Sequence, residues 1–210
     1  MNPAHHPSAE RLADYALGRL DPSFRLVLEA HLAFCDTCRA RFTETARAAE
    51  DPLQGIPAAS VPGGLLPSLL AKVRALPAPA APRCGNEVLP LPSSVWNLLP
   101  SLASLTWQGA FSPGFRFLRI PAPQSGLELY LLHLRKDCPF PRHGHLGTEQ
   151  SMVLCGGLQD ESGVLEAGDY DEATPDRIHR PRALPDEDCW LIASVEGGVR
   201  FSGWRGWFQA

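Results

Sequence analysis

The segment Pro141-Arg-His143-Gly-His145-Leu-Gly-Thr-Glu149 contains the pattern that decides how the second half of the chain folds. In an extended strand, side chains two positions apart lie on the same face, so His143 and His145 are expected to point the same way. Glu149 follows a glycine turn and can reach the same point, and a later segment adds His179. Three imidazoles and one carboxylate form a mixed donor set that suits Zn²⁺, Fe²⁺, Mn²⁺ or Ni²⁺. The pattern predicts a divalent metal site, although two surface histidines beside an unrelated glutamate would give the same pattern.

Short apolar runs surround this segment and are separated by clusters of glycine, proline and aspartate. This alternation is typical of many short antiparallel strands that form a barrel or a sandwich. We therefore predict an antiparallel β domain over residues 84–210, with strands near 115–120, 127–134, 150–154 and 189–195.

Residues 1–76 have the apolar spacing of helices rather than of strands. Ser8 can cap a first helix, and Asp21-Pro22 is a start signal for a second, with aspartate as the cap and proline at the first helical position. A third helix is predicted over about 36–50. Together with the β domain, these helices predict an α+β multidomain chain, in which a small helical domain precedes an antiparallel barrel.

A fourth helix is predicted over about residues 65–76, and it has an apolar stripe on one face. The helix follows a loop rich in glycine and proline, so it need not pack on the first three helices. The stripe either closes a four-helix bundle, packs on the barrel, or stays exposed until the groove of a partner protein covers it. We call the side chains Leu66, Leu69, Leu70 and Val73 the leucine stripe.

A proline-rich segment, Pro77-Ala-Pro-Ala-Ala-Pro82, separates the two halves of the chain. Such a segment is extended and semi-rigid, and it buries little apolar surface. The predicted boundaries are a helical domain over 1–76, a linker over 77–83 and the β domain over 84–210.

A second candidate metal site lies in the helical domain, where His31 is followed by Cys35 and Cys38. Residues four apart on a helix share a face, and a C-x-x-C turn brings the second sulfur back toward the first. Two thiolates with imidazole favour zinc, and a structural site needs a fourth ligand, for which His5 or His6 is available. A histidine on an amphipathic face beside two core cysteines is the alternative. A thioredoxin-like redox pair would need a βαβ context, which the sequence lacks.

Composition limits the function classes. The net charge of −4 gives no basic face for direct DNA binding, and no apolar run of about 18 residues spans a membrane. Without a signal peptide the chain is expected in the cytoplasm, where its six cysteines are not read as three disulfides. His133 is expected to be a structural histidine. The four cysteines outside the C-x-x-C pair are expected to be small buried side chains: Cys84, Cys138, Cys155 and Cys189.

The two sets of candidate ligands resemble two known motifs. The sequence from His143 through Glu149 to Gly156, followed by Gly168 to His179, is similar to the paired motifs of cupin (jelly-roll) barrels. In the helical domain, the order His6, His31, Cys35, Cys38 is similar to that of zinc-binding anti-sigma domains. In this order and over nearly the full length, the two domains resemble the ChrR family of anti-sigma factors.

This resemblance implies a function for each domain. The helical domain would hold Zn²⁺ and bind an extracytoplasmic-function sigma factor as a 1:1 heterodimer, inhibiting it. The cupin domain would hold a divalent metal, with zinc first among the four candidates, and would sense an oxidative signal such as singlet oxygen or an organic hydroperoxide.

Two other functions fit a metal site in a barrel, because cupins host many activities. A dioxygenase-like metalloenzyme with a zinc-binding regulatory domain would need an open coordination position, and no further acid–base pair stands out beside the ligands. A ligand-binding module without catalysis would use the metal to anchor an acid or a peroxide.

Overall fold

The computed structural model describes residues 3–50, 57, 59–77, 80–81, 83–84, 86–96, 98–99, 102–109, 113–122 and 125–201, except the side chains of 48–50 and 94. In this part of the chain, four α-helices come first: α1 (Ala9–Ala16), α2 (Pro22–Phe34), α3 (Asp36–Glu50) and α4 (Leu65–Arg74). A short 3-10 helix, Ser93–Val95, lies among the strands that follow. The strands are β1 (Arg83–Cys84), β2 (Glu87–Val88), β3 (Gln108–Gly109), β4 (Phe115–Ile120), β5 (Glu128–Leu134), β6 (His143–His145), β7 (Glu149–Cys155), β8 (Gly157–Asp160), β9 (Gly163–Glu166), β10 (Tyr170–Ala173), β11 (Ile178–His179), β12 (Arg182–Ala183), β13 (Cys189–Val195) and β14 (Val199–Phe201).

The predicted start signals of the first two helices are confirmed. The Ser8 hydroxyl accepts a hydrogen bond from the N–H of Arg11 at 3.2 Å. The Asp21 carboxylate accepts one from the N–H of Ser23 at 2.8 Å, and Pro22 occupies the first helical position. These side chains satisfy N–H groups that have no partner within a helix. The helix predicted over 36–50 is α3, and the fourth helix ends at Arg74, two residues earlier than predicted.

The strands form an antiparallel barrel-like arrangement of a large sheet and smaller ones. The large sheet has the order β10-β7-β13-β5-β4-β3, and the smaller sheets have the orders β11-β6-β14, β12-β8-β9 and β1-β2. The predicted strands at 115–120 and 189–195 are confirmed in their bounds; the one predicted at 127–134 begins one residue later, and the one predicted at 150–154 extends one residue further at each end. The predicted α+β class, with helices before an antiparallel barrel, is confirmed.

The two faces of the large sheet have different neighbours. On one face Leu131, Met152 and Ile192 belong to the same buried cluster as Val27 and Leu28 of α2. On the other face, Leu132 and Leu191 line a cavity together with side chains of the smaller sheets. Alternate residues of a strand point to opposite faces, so the same sheet can pack on α2 with one face and line the cavity with the other. Helix α2 therefore shares its core with the barrel.

Position 156, directly after β7, has a backbone conformation that requires glycine. It has φ +67°, and a Cβ there would collide with the carbonyl oxygen of Asp188. Only glycine adopts this conformation without steric cost, so the glycine of the first barrel motif has a local structural reason.

The predicted linker and domain boundaries stay predictions. Residues 78, 79 and 82 of the linker lie outside the described residues. Among the helices that are described, none combines the length and the apolar character needed to cross a membrane.

Two candidate metal centres

The four predicted ligands of the helical domain lie together. The donor atoms of His6, His31, Cys35 and Cys38 are all within 4.8 Å of one another. Nδ1 of His6 is 3.4 Å from each of the two Sγ atoms. Zinc bonds of about 2.3 Å to sulfur and about 2.0 Å to nitrogen, at tetrahedral angles, place sulfur and nitrogen roughly 3.5 Å apart. The donor set and its spacing fit a tetrahedral zinc ion.

The junction between α2 and α3 brings these donors together. His31 and Cys35 are one helical turn apart, and Cys35 ends α2 in an extended conformation. The N–H of Cys38, in the first turn of α3, donates to Sγ of Cys35 at 3.3 Å. His6 comes from the segment before α1. His5 turns away, with its Nδ1 3.2 Å from the carboxylate of Asp169, so of the two candidates it is His6 whose ring nitrogen faces the sulfurs.

The protonation of these groups suits a metal. Nδ1 of His31 donates to the carbonyl oxygen of Gly168 at 2.8 Å, which leaves Nε2 with its lone pair. That Nε2 is buried and has no hydrogen-bond partner among the described residues. Burial also lowers the pKa of His31, so its imidazole is neutral. Burial, with the neighbouring Cys35, raises the pKa of Cys38 to about 12, so a bound cation has to displace the thiol proton.

Three of the four predicted barrel ligands form the second centre. His143 and His145 lie on β6, and His179 lies on β11, directly opposite His143. Nε2 of His179 is 3.1 Å from Nε2 of His143 and 3.2 Å from Nε2 of His145. Metal–nitrogen bonds of about 2.1 Å place two imidazole nitrogens roughly 3.0–3.4 Å apart at angles of about 90–109°. All three imidazoles are buried, and their spacing fits a metal ion.

The opposite ring nitrogens of His143 and His179 explain why the Nε2 atoms of these two rings can face one another. Nδ1 of His143 donates to the carbonyl oxygen of Pro141 at 3.0 Å, and Nδ1 of His179 donates to the carboxylate of Asp160 at 2.7 Å. A neutral imidazole that donates from Nδ1 has only a lone pair at Nε2. Converging lone pairs repel unless a cation lies between them. Burial lowers the pKa of His143 to about 4, which keeps this ring neutral near pH 7.

Glu149 is placed differently from the three histidines. Its Oε2 is 3.1 Å from Nδ1 of His145, the nitrogen not shared with His179. This is an ion-pair distance, and His145 Nδ1 has no hydrogen bond to any described residue. Burial raises the pKa of Glu149, but the contact with His145 and the nearby imidazoles outweigh it, and the net shift is downward. Its predicted role as the fourth ligand stays a prediction.

Asp160 is a functional candidate that the sequence patterns missed. Its side chain is buried, and it accepts hydrogen bonds from His179 and from Arg177, the latter at 2.8 Å. Burial raises its pKa, but these bonds outweigh that effect and lower the pKa to about 2. A carboxylate behind a metal-ligating histidine fixes the ring orientation and strengthens the ligand. The signal is hard to read from sequence because Asp160 lies 19 residues before His179.

The barrel centre lies beside a cavity of about 220 Å³. His143, Glu149 and His179 form one part of its wall, and most of the rest is apolar. The apolar wall includes Phe115, Phe117, Phe140, Leu158 and Phe201. A small, mainly apolar molecule could therefore lie next to the three histidines.

The expectations for the remaining histidine and cysteines are largely confirmed. His133 is buried, accepts from Arg116 at 2.9 Å and contacts the Asp188 carboxylate at 2.9 Å, as expected of a structural histidine. Among the four cysteines outside the C-x-x-C pair, Cys155 is only half-buried, and the other three are buried as expected.

Comparisons with known proteins agree with this geometry. A family model described as "ChrR Cupin-like domain" matches residues 99–196, and one described as "Putative zinc-finger" matches residues 8–39. The "Anti-sigma-E factor ChrR" of Cereibacter sphaeroides is 30% identical over 203 residues, which cover 96% of this chain and 94% of that protein.

Solved structures are similar as well. The crystal structure of Rhodobacter sphaeroides SigE in complex with the anti-sigma ChrR matches with a TM-score of 0.67 and 29% identity, covering 91% of this chain and 98% of that chain. An RmlC-like cupin protein from Ralstonia eutropha JMP134 is 21% identical, with a TM-score of 0.43, over 48% of this chain and 69% of that one. A TM-score this low supports no inference by itself.

Proposed function

The chain belongs to the ChrR family of anti-sigma factors, and from this premise we propose that it binds and inhibits an extracytoplasmic-function sigma factor through its N-terminal helices. It is accordingly a regulatory protein and not a dioxygenase-like enzyme. We propose further that the chain and the sigma factor form a 1:1 heterodimer in the cytoplasm.

The leucine stripe is the observation that carries the proposal. All four of its side chains are exposed, and no residue of α4 is buried. Of the three possibilities for the stripe, a closed four-helix bundle and packing on the barrel both require buried side chains. An exposed apolar helix face is costly in water and marks an interaction site. Helix-in-groove binding to the sigma factor fits this surface.

We propose that His6, His31, Cys35 and Cys38 bind Zn²⁺, which would fix the junction between α2 and α3. The ion would stabilise a helical region that has few large apolar side chains of its own. In the barrel, we propose that His143, His145 and His179 hold a divalent metal with Glu149 as the fourth ligand. When bound there, the metal would supply a Lewis-acid site next to the cavity.

The barrel is proposed to be the sensory half of the protein. Its buried histidines face a mainly apolar cavity, which suits a small oxidant such as an organic hydroperoxide or singlet oxygen. Reaction of such an oxidant at the barrel centre would change the strands that carry the three histidines. Release of the sigma factor would follow.

The sigma-factor proposal is tested by measuring the affinity of the full chain for its partner sigma factor. The double variant Leu66→Asp/Leu69→Asp places two charges on the stripe, and we expect the Kd to rise by about 30-fold or more, equivalent to about 2 kcal/mol for loss of interface anchors. Val164→Asp is the matched control, because Val164 is also an exposed apolar side chain but lies on β9 of the barrel. Equal affinity of the double variant and the wild type would refute the assignment of the stripe.

Point variants of the full chain are preferable to truncation. Val27 and Leu28 of α2 pack in the same buried cluster as the barrel sheet, so removal of the barrel would expose them. A truncated helical domain could then lose binding for a reason unrelated to the sigma interface.

A further inference from the structure

A single buried carboxylate of the barrel holds the segment that precedes α1. Asp169, only 4% exposed, lies in the turn between β9 and β10. Its Oδ1 accepts hydrogen bonds from the N–H of Ala4 at 2.7 Å and of His5 at 2.9 Å. Its Oδ2 accepts from the N–H of Glu166 at 2.9 Å and lies 3.2 Å from Nδ1 of His5. Charge-assisted bonds of this kind are stronger than those between neutral groups.

The main chain of the same turn completes this attachment. The N–H of Tyr170 donates to the carbonyl oxygen of His5 at 3.2 Å, so both backbone groups of His5 are bonded to the barrel. His6 is the next residue, and its Nδ1 faces the two sulfurs. The first residues of a chain are ordered only where contacts hold them. The position of His6 thus depends on contacts that the barrel provides.

Gly168, the residue before Asp169 in the turn, holds a second candidate zinc ligand, His31. The carbonyl oxygen of Gly168 accepts the Nδ1 hydrogen of His31, which directs Nε2 toward the other donors. Gly168 has φ +99°, and a Cβ there would be 2.9 Å from Pro3 and 3.3 Å from Phe34. Glycine is required for this close approach. The turn is tied to β7, because Gly168 and Asp169 both exchange backbone hydrogen bonds with Val153, at 2.8 and 3.1 Å.

We propose that Asp169 and the Gly168 carbonyl are positioning groups of the helical metal centre, which the barrel therefore completes. The proposal rests on the zinc site proposed above. The site then belongs to both halves of the chain, although all four ligands come from the first 38 residues. A rearrangement of the turn between β9 and β10 would act on His31 and on His5, the neighbour of His6, without passing through the proline-rich segment.

Strand β10 also leads to the barrel centre. Asp171, two residues after Asp169, pairs with Arg177 at 2.7 Å, and Arg177 pairs with Asp160, the acceptor for His179. The turn at Gly168 and Asp169 supports candidate ligands of the helical centre, and Asp171 of the adjoining strand supports those of the barrel centre. This arrangement links the two centres through packed residues. Two domains joined only by a linker would have no such link.

The test compares four full-length proteins: the wild type, Asp169→Ala, Asp169→Asn and Asp186→Asn. Asp186 is an exposed acid in another turn and serves as the matched control. The affinity for Zn²⁺ is measured by competition with a chromophoric chelator. Co²⁺ is then used as a spectroscopic probe, because thiolate-to-cobalt absorption arises only where cysteine binds the ion, and the proposed barrel ligands include no cysteine.

For Asp169→Ala we expect the affinity of the thiolate site to fall by about 10–100-fold, with an altered cobalt spectrum, because the segment that carries His6 loses its attachment; this is the range typical for loss of a group that orients a metal ligand. Asp169→Asn should lose less, because its amide oxygen can still accept from Ala4 and His5. Asp186→Asn should match the wild type. Thermal unfolding of each variant shows whether the barrel is intact at the temperature of the metal measurements.

Three results would overturn the inference. Unchanged zinc affinity and an unchanged cobalt spectrum in Asp169→Ala would remove the positioning role and leave the zinc site itself standing. If Asp169→Ala does not fold, Asp169→Asn decides: its amide group lacks the charge and the second acceptor oxygen that face Glu166 and His5, so a smaller loss is still expected, and a wild-type affinity and spectrum would remove the positioning role. Absence of thiolate-bound metal in the wild type would refute the proposed zinc site, and the inference with it.

Discussion

Replacement of Leu28 by alanine tests whether the helices and the barrel form one cooperative unit. Leu28 of α2 is 0% exposed and belongs to the buried cluster that includes the outer face of the large sheet. The substitution removes one methine and two methyl carbons from this cluster and leaves a cavity. In buried positions, Leu→Ala costs about 2–5 kcal/mol through lost transfer free energy and the residual cavity.

We expect a loss of about 3 kcal/mol in the free energy of unfolding, near the middle of that range. In a chain of this length, each kcal/mol lowers Tm by roughly 2–4 °C, so Tm should fall by about 6–12 °C. Leu66→Ala is the matched control on α4. Leu66 is 65% exposed, so its removal should change the free energy of unfolding by less than about 0.5 kcal/mol.

Urea denaturation with two probes gives the measurement. Far-UV circular dichroism follows the helices, and tryptophan fluorescence follows the barrel region, where Trp107 and Trp190 pack together with ring centroids 5.9 Å apart. Both transitions should shift to lower urea by the same amount in Leu28→Ala. A cost below about 1 kcal/mol, or a shift of the helical transition alone, would refute the shared core.

Further predictions concern the two metal centres. Glu149→Ala should block the response to the oxidative signal while inhibition of the sigma factor is retained, which a reporter assay measures; induction that persists would contradict the sensory role of the barrel. His6→Ala should weaken Co²⁺ binding at the thiolate site and alter its absorption spectrum, whereas His5→Ala should give a thiolate spectrum like that of the wild type; the reverse result would reassign the fourth ligand. Asp160→Ala should weaken metal binding in the barrel by about 10–100-fold, because a ligating histidine loses its carboxylate partner. The exposed acid Asp176 provides the control, and equal metal content in Asp160→Ala and Asp176→Ala would exclude this role.

Features that depend on neighbouring residues could be predicted from the amino-acid sequence. The caps at Ser8 and Asp21 act on N–H groups two or three positions away, so they could be read from the order of residues. The spacing of His143 and His145 placed both side chains on one face of a strand, and that of His31 and Cys35 placed both on one side of a helix. Donor types and local periodicity therefore predicted the α+β class and both clusters of candidate ligands.

The tertiary structure alone decided the features that join distant segments. That His6 rather than His5 faces the two sulfurs depends on Asp169, which bonds to His5 across 164 positions of the chain. The burial of α2 against the large sheet and the pairing of Asp160 with His179 have no periodic signature, because they arise when separate elements pack. Local spacing fixes the direction of a side chain relative to its own element, whereas only the packing of elements fixes which groups meet.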